Sequence, residues 1–262
     1  MVRSALSLRM LSWGVRSVSV TLIAEDSKLG TNPVPKAHSL LRRTMDPDDL
    51  AYRGQAEYTP RFLAIYDPLV LGFMAQVVWR CPTPPVVDRY RQHVGHRHLD
   101  VGPGTGYFLD KAGLAPEAEV TLLDPNPTVL AHASRRLAPM KLTTVEADVL
   151  KPLPVNGPFD SAALNGVLHC LPGPQHQKAV AIRNVAAVLA PDGVLFGGTI
   201  LGSLENHAPL ARVLLWALNR RGVFDNLADT EEGLHEILEE SFQTVEIDVV
   251  GSMAQFMATD LH

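Results

Sequence analysis

The chain has 262 residues, of which 46% are hydrophobic and 19% charged, with a formal net charge of −5. This length and apolar content suit one α/β domain with additions. The negative charge argues against nucleic acid as a partner. Cys81 and Cys170 have neither disulfide-framework nor metal-ligand spacing, which favours a reducing compartment. No apolar run reaches the roughly 18 residues that a membrane span requires. We therefore expect a cytoplasmic protein without a membrane partner, and the oligomeric state stays open.

Residues 1–44 differ from the rest of the chain. The first 24 residues carry Arg3, Arg9 and Arg16 among serines and have no acidic side chain. One interpretation is an organellar transit peptide, which has this composition. The other is an upstream extension of a protein whose working part starts near Met45. Arginine outnumbers lysine along the chain, as in GC-rich bacterial genomes, so we favour the second interpretation and expect a poorly ordered extension.

Residues 45–94 predict a helical segment. Aromatic and aliphatic side chains recur at helical spacing from Tyr58 to Asp67, and an apolar helix is indicated over Leu69–Trp79. Prolines from Pro82 onward stop that helix, and Val86–Val94 predicts a shorter one.

Strand and helix patterns alternate from residue 95 to the C-terminus. The predicted strands are His98–Val101, Glu119–Leu123, Leu142–Glu146, Phe159–Asn165, Val194–Thr199, Phe242–Val249 and Met253–Thr259. The predicted helices are Tyr107–Ala112, Pro127–Leu137, Gln177–Ala190, Leu204–Asn219 and one opening at Thr230. Such alternation predicts a parallel sheet with helices on both faces, and the last two strands, which flank Gly251-Ser252, indicate a hairpin.

The segment between the first strand and the next helix reads Gly102-Pro103-Gly104-Thr105-Gly106. Glycines there permit left-handed backbone angles and close approach of a ligand to the main chain. The following helix start offers unpaired N–H groups, which favours a ligand with an anionic group. A dinucleotide loop, G-x-G-x-x-G, would need glycine where Tyr107 stands, so the spacing argues against NAD.

Two aspartates follow the next strands, Asp124 after Val120–Leu123 and Asp148 after Val145–Ala147. Ligands of parallel sheets bind beyond the carboxyl ends of the strands. A carboxylate there accepts hydrogen bonds from ribose hydroxyls, each worth about 1.5–3 kcal/mol, and a second can accept from an adenine amino group. Each aspartate alone is also a common cap or turn residue, but their order after the glycine loop favours ligand binding.

Five motifs in this order resemble the class I S-adenosylmethionine-dependent methyltransferases. They are the glycine loop Leu99–Gly106, Asp124, Asp148, the fourth-strand segment Phe159–Pro172 and the turn Leu189–Leu195 into the fifth strand. The resemblance implies a Rossmann-like seven-stranded sheet, mostly parallel with one antiparallel C-terminal strand. It also divides the chain into an N-terminal helical cap at 45–94 and an S-adenosylmethionine-binding methyltransferase domain at 95–262.

The resemblance also implies the site. S-adenosylmethionine is the expected cofactor, and no metal is expected. The implied cofactor contacts are Tyr58, Asp100, Gly102, Pro103, Gly104, Thr105, Gly106, Asp124, Pro125, Asp148, Val149 and Asn165. Asp100 has the alternative of holding the N–H groups of the loop, and Asn165 is expected to act through its backbone carbonyl. Tyr66, Trp79 and His207 are the candidates for contacting the methyl acceptor, although aromatic side chains on a helix more often belong to a core.

His169 is the candidate general base, because it follows the fourth strand and histidine titrates near neutral pH. The alternative is that it packs over the cofactor or bonds a backbone carbonyl. The Tyr58–Pro82 segment resembles stand-alone methyltransferases found near biosynthetic genes. We therefore expect methyl transfer to a small organic molecule, in natural-product biosynthesis, with oxygen, nitrogen and carbon acceptors all open. A non-methylating relative (regulatory, isomerase or cyclase) and a nicotinamide-dependent oxidoreductase are the alternatives.

Overall fold

A computed structural model describes residues 58–203 and 207–262. The predictions for residues 1–44, and the first part of the predicted cap, lie outside these residues. The strands are β1 Arg97–Val101, β2 Glu119–Leu123, β3 Lys141–Val145, β4 Phe159–Asn165, β5 Leu189–Ile200, β6 Phe242–Val250 and β7 Met253–Leu261. They form one sheet in the order β3-β2-β1-β4-β5-β7-β6. Among the described residues, six strands run in one direction and β7 runs opposite to them, antiparallel to both β5 and β6, which confirms the predicted architecture.

Helices surround the sheet. They are α1 Pro60–Tyr66, α2 Thr83–His93, α3 Tyr107–Ala112, α4 Pro127–Arg136, α5 Gln175–Ala186, α6 Pro209–Arg220 and α7 Glu231–Glu239. Besides these, a π-helix, Asp67–Val78, continues α1, and a short 3₁₀ turn spans Leu168–Cys170. Thr59 caps α1 by accepting a hydrogen bond from the N–H of Phe62, and Pro60 occupies its first turn.

The core lies on both faces of the sheet. Successive side chains of a strand point to opposite faces, so β4 places Ala162 and Leu164 in one apolar cluster and Ala163 in the other. The first cluster includes Ile182 of α5, and the second includes Leu130 of α4. Burial on both faces explains why the central parallel strands read as continuous apolar runs.

Several predicted helix boundaries are wrong, including that of the helix predicted over Val86–Val94, which begins at Thr83. The helix predicted over Gln177–Ala190 ends at Ala186, because Leu189 already pairs with Phe159 as the first residue of β5. The helix predicted from Leu204 begins at Pro209. Proline lacks an N–H and fits the first helical position, where that group would have no partner. Leu204 itself lies outside the described residues.

The N-terminal helix also corrects the expectation about apolar length. By length and composition alone, Pro60–Val78 could cross a membrane: it has 19 residues and a mean hydropathy of 1.4. Ile65, Leu69, Phe73 and Val77 are exposed along it, and these residues recur every four positions. Asp67 interrupts the apolar sequence and pairs with Arg136 of α4.

Candidate functional site

The glycine loop joins β1 to α3 and lies at the carboxyl edge of the sheet. Gly102, Gly104 and Gly106 all have positive φ, at 67°, 55° and 73°, a region that residues with a Cβ avoid. A Cβ at Gly104 would meet no atom within 4 Å, whereas one at Gly106 would lie 3.1 Å from Leu137 Cδ1. Gly104 therefore faces open space, and Gly106 faces the core.

Asp124 and Asp148 lie beside this loop and line one cavity with it. Asp124 is 9% exposed, and its Oδ1 accepts a hydrogen bond from the Asn126 N–H at 2.7 Å. Burial raises the pKa of Asp124 to about 7. Asp148 is half-buried and accepts from the Leu150 N–H at 2.9 Å. Both aspartates therefore also form local turns, as the alternative interpretation had them, while lining the cavity.

The residues of this first cavity fit S-adenosylmethionine. Carboxylates suit the ribose hydroxyls and the adenine amino group, and the apolar side chains of Leu123, Val129 and Val149 suit the face of an adenine ring. Gly104 leaves room for a ligand against the main chain. The remaining lining residues are Tyr58, Tyr66, Val101, Gly102, Pro125, Asn126, Asn165, Gly166, Val167, Cys170, Leu171 and Pro172.

The structure brings most of the implied cofactor contacts to this cavity, namely Tyr58, Gly102, Gly104, Asp124, Pro125, Asp148, Val149 and Asn165. Pro103, Thr105, Gly106 and Asp100 do not line it. The hydroxyl of Thr105 instead donates to Asp67 at 2.6 Å.

Asp100 lies beneath the loop. Leu99 and Val101 belong to the cluster on one face of the sheet, so the side chain between them points to the other face. There it is buried beside the hydroxyl of Tyr90, with which it hydrogen-bonds, and 3.9 Å from His98 Nε2. Burial raises the pKa of Asp100 to about 8.

A second cavity, of about 320 Å³, adjoins the first. Tyr58, Tyr66, Asn165 and Gly166 line both. The second cavity is mainly apolar and aromatic, with Phe62, Val70, Leu71, Met74, Ala75, Trp79, Cys81, Thr83, Val86, Phe108, His169, Ile200, Leu218, Arg221, Val223, Phe224 and Met253 as its other lining residues. Tyr66 and Trp79 thus line the second cavity, whereas His207 lines neither cavity and its Nδ1 lies 2.8 Å from Ser252 Oγ.

Tyr58 and Tyr66 stand at the junction of the two cavities. Their ring centroids are 5.9 Å apart, and their hydroxyls hydrogen-bond each other. The neighbouring Tyr66 and burial raise the pKa of Tyr58 well above its ordinary value. Burial raises the pKa of Tyr66 to about 12. Both phenols are therefore neutral at physiological pH, and because one hydroxyl donates to the other, the pair keeps one further O–H donor at the junction.

His169 lies in the 3₁₀ turn after β4 and lines the second cavity. Its Nδ1 accepts a hydrogen bond from the Ile200 N–H at 3.2 Å, and Thr199 Oγ1 lies 3.3 Å from the same atom. The Phe224 ring packs edge-on against it at 4.4 Å between centroids. Burial, with a contribution from the charge of Lys178, lowers the pKa of His169 to about 3. The imidazole is therefore neutral.

The sequence interpretation missed the segment that closes the second cavity. Arg221, Val223 and Phe224 lie between the predicted helix Leu204–Asn219 and the one opening at Thr230, a stretch to which the sequence analysis assigned no role. This loop is fixed because Lys178 Nζ donates to Asp225 O at 2.7 Å and to Asp229 Oδ2 at 2.6 Å. Lys178 is fully buried on α5 among Ala179 and Ile182. The sequence did carry a signal for this contact. Lys178 lies on the apolar face of a predicted helix, and a buried lysine is almost always paired.

The topology, the glycine loop and two strand-end carboxylates beside a cavity define an S-adenosylmethionine-binding Rossmann-like fold. The chain belongs to the class I S-adenosylmethionine-dependent methyltransferases, and a family model described as a methyltransferase domain matches residues 99–195. It is 38% identical over 215 residues to a demethylluteothin O-methyltransferase of Streptomyces thioluteus, covering 80% of this chain and 93% of that protein. It is 37% identical over 209 residues to a physcion biosynthesis cluster O-methyltransferase of Aspergillus chevalieri, covering 79% and 94%.

Solved structures show the same fold. The N-methyltransferase NodS of Bradyrhizobium japonicum WM9, in complex with S-adenosylhomocysteine, matches with a TM-score of 0.57 at 17% identity, over 81% of this chain and 99% of that chain. The protein is thus an S-adenosylmethionine-dependent methyltransferase. This assignment excludes the alternative of a nicotinamide-dependent oxidoreductase.

Proposed function

We propose that this methyltransferase methylates an oxygen of a small, largely apolar aromatic molecule in natural-product biosynthesis. The observation that carries the proposal is the second cavity, which shares Tyr58, Tyr66, Asn165 and Gly166 with the cofactor cavity. A volume of about 320 Å³ lies at the lower end of the roughly 300–1,000 Å³ of small-molecule sites. Similarity to proteins named as O-methyltransferases supports oxygen as the acceptor atom.

Specific residues of the first cavity hold the cofactor in this proposal. Asp124 accepts hydrogen bonds from the ribose hydroxyls, Asp148 accepts one from the adenine amino group, and the Gly102–Gly104 backbone lies against the methionine part. When bound, the cofactor supplies an electrophilic methyl group. Tyr58 and Tyr66 exclude water at the junction and orient the two ligands. Orientation alone is worth about 7–11 kcal/mol of barrier when reactants are well placed.

Apolar rings determine the kind of acceptor. Phe62, Trp79 and Phe224 line the second cavity, and aromatic walls favour flat apolar molecules through stacking and burial. Arg221 places a cation in the lining, and Arg221 is itself exposed. A planar phenol or enol with one polar edge fits this combination.

Calorimetry and a methyl-transfer assay on the full chain test the proposal. We expect S-adenosylmethionine and S-adenosylhomocysteine to bind and NADH not to bind. With radiolabelled S-adenosylmethionine, label should pass to naphthols, hydroxycoumarins or hydroxyanthraquinones. Label transfer to arylamines only, or to none of these compounds while S-adenosylhomocysteine binds, would contradict the acceptor class.

A further inference from the structure

The hydrogen bonds of His169 fix which of its nitrogens carries the proton. A backbone N–H can only donate, and that of Ile200 points at Nδ1 from 3.2 Å. Nδ1 therefore offers its lone pair, and the neutral ring must carry its hydrogen on Nε2. Thr199 Oγ1, at 3.3 Å, adds a second group on the Nδ1 side.

His169 lines the second cavity and is 6% exposed. Within residues 58–203 and 207–262, both hydrogen-bonding contacts of its ring are on Nδ1, and no protein group accepts a hydrogen bond from Nε2. A neutral imidazole in this tautomer has no free lone pair. It can donate to an acceptor molecule, but it cannot take a proton from one without losing the Ile200 hydrogen bond.

Two cations lie near His169, one of them in a buried ion pair. Lys178, which donates to Asp229 Oδ2 at 2.6 Å, is close enough to lower the pKa of His169, and Arg221 places a positive charge in the lining of the second cavity. The other titratable groups in the lining are Tyr58, Tyr66 and Cys81. Burial raises the pKa of the Cys81 thiol, so these three are also neutral.

We propose that His169 is a hydrogen-bond donor to the reacting oxygen of the acceptor, and that this oxygen is the oxyanion of an acidic phenol or enol. This inference rests on the proposed function and narrows its substrate class. The acceptor loses its proton to solvent on binding, and its oxygen then provides the electron pair of the new C–O bond while the sulfur retains the pair of the broken S–C bond. His169 gives up no proton and takes none.

Binding of 4-nitrophenol, whose ionised form is yellow, tests the inference without turnover. The full chain is saturated with S-adenosylhomocysteine, and the absorbance of the bound probe is followed against pH. We expect the protein to lower the pKa of bound 4-nitrophenol by about 1, a tenfold change in the ratio of ionised to neutral probe. A probe that binds only in its neutral form, or does not bind, would overturn the inference.

Two substitutions separate donation from proton acceptance. His169→Gln keeps an N–H donor near the position of Nε2 but cannot act as a base, whereas His169→Leu removes the donor. We expect the glutamine variant to retain the lowered pKa of the probe and turnover on hydroxycoumarins within about tenfold, and the leucine variant to lose both. Equal loss of turnover in the two variants would assign His169 as the base and overturn the inference.

Controls separate this outcome from misfolding and from failure of the proposed function. His235→Gln changes an exposed histidine of α7 that pairs with Glu239 and should behave like the parent chain. Affinity for S-adenosylhomocysteine should be the same in all variants. If the chain methylates arylamines, the proposed oxygen acceptor fails. If phenols bind in their neutral form and more basic phenols are methylated faster, only the proposed role of His169 is wrong.

Discussion

At the residue scale, Asp124 links burial to the proposed binding of the cofactor. Its carboxyl group is buried, and within the described residues the recorded hydrogen bond to it comes from the Asn126 N–H. Burial opposes the charged form, so the pKa rises to about 7. Ribose hydroxyls would provide the donors that the ionised carboxylate has lost from water.

Replacement of Asp124 should therefore weaken cofactor binding. We expect Asp124→Ala to lower the affinity for S-adenosylhomocysteine by about tenfold or more, because a charged acceptor of two hydroxyl groups is lost. Calorimetric titration measures this change. Asp192→Asn, which alters an exposed carboxylate in β5, is the control. Equal affinities in the Asp124 variant and the parent chain would remove the ribose assignment.

Cofactor affinity should also depend on pH through the same carboxyl group. Below pH 7 the free protein carries Asp124 mainly protonated, and the proton competes with the ribose hydroxyls. Affinity is then expected to fall by up to about tenfold per pH unit as the pH decreases from 7, and cofactor binding at pH 7 should release protons. Calorimetry in buffers of different ionisation enthalpy measures that release. Asp124→Asn should abolish this pH dependence of cofactor affinity. If the variant keeps it, another group, such as Asp100, causes the pH dependence.

At the scale of elements, a polar network joins the π-helix, the glycine loop and α4. Arg136 Nη2 lies 2.5 Å from Asp67 Oδ2, and its Nη1 donates to Thr105 O at 3.0 Å and to Thr105 Oγ1 at 2.8 Å. Thr105 in turn donates to Asp67. The network holds the helix that carries Tyr66 against the loop that carries Gly104, so it positions two walls of the first cavity.

Breaking this network should loosen the cavity. We expect Arg136→Gln to lower the free energy of unfolding by about 1–2 kcal/mol, because the pair is partly buried and charge-assisted, and to weaken S-adenosylhomocysteine binding. Denaturant unfolding and titration measure the two effects. Arg135→Gln, the exposed neighbour on α4, is the matched control. If both variants match the parent chain, the network does not hold the cavity.

The elements differ in how far the sequence predicts them. The bounds of β2, β4 and α3 were predicted correctly, because apolar runs, turn glycines and helix spacing are local signals. Asp124 and Asp148 were placed at the cavity for the same reason. The Asp67–Arg136 pair joins residues 69 positions apart, and no local pattern encodes such a contact. Asp100 could have been placed under the loop by the alternation of side chains in β1.

At the scale of the whole molecule, one buried ion pair connects the core to the second cavity. Lys178 and Asp229 have side chains 0% and 5% exposed, and Lys178 also donates to the carbonyl of Asp225. The N–H of Asp225 donates to His169 O at 3.0 Å. Loop 221–229 is therefore fixed to α5 and to the turn that carries His169, and this loop contributes Arg221, Val223 and Phe224 to the lining of the second cavity.

Removal of the lysine should destabilise the protein and mainly impair the acceptor side. In Lys178→Met the Asp229 carboxylate is left buried without its cation, which costs about 3–5 kcal/mol. Burial already raises the pKa of Asp229, and loss of Lys178 raises it further. The folded variant then binds a proton more tightly than the unfolded chain. Its free energy of unfolding must therefore fall as the pH rises from the pKa of Asp229 in the unfolded chain to its higher pKa in the folded variant. Mild acid should then reduce the stability difference between the variant and the parent chain.

Denaturant unfolding at several pH values measures this difference, and a companion variant gives the control. In Lys178→Met with Asp229→Leu no buried charge remains, so we expect part of the stability to return without the pH dependence. Because the loop would still lack its anchor, the KM for a phenol should rise in both variants while S-adenosylhomocysteine affinity changes little. If cofactor affinity falls as much as acceptor affinity, the ion pair supports the whole domain and not the acceptor cavity in particular.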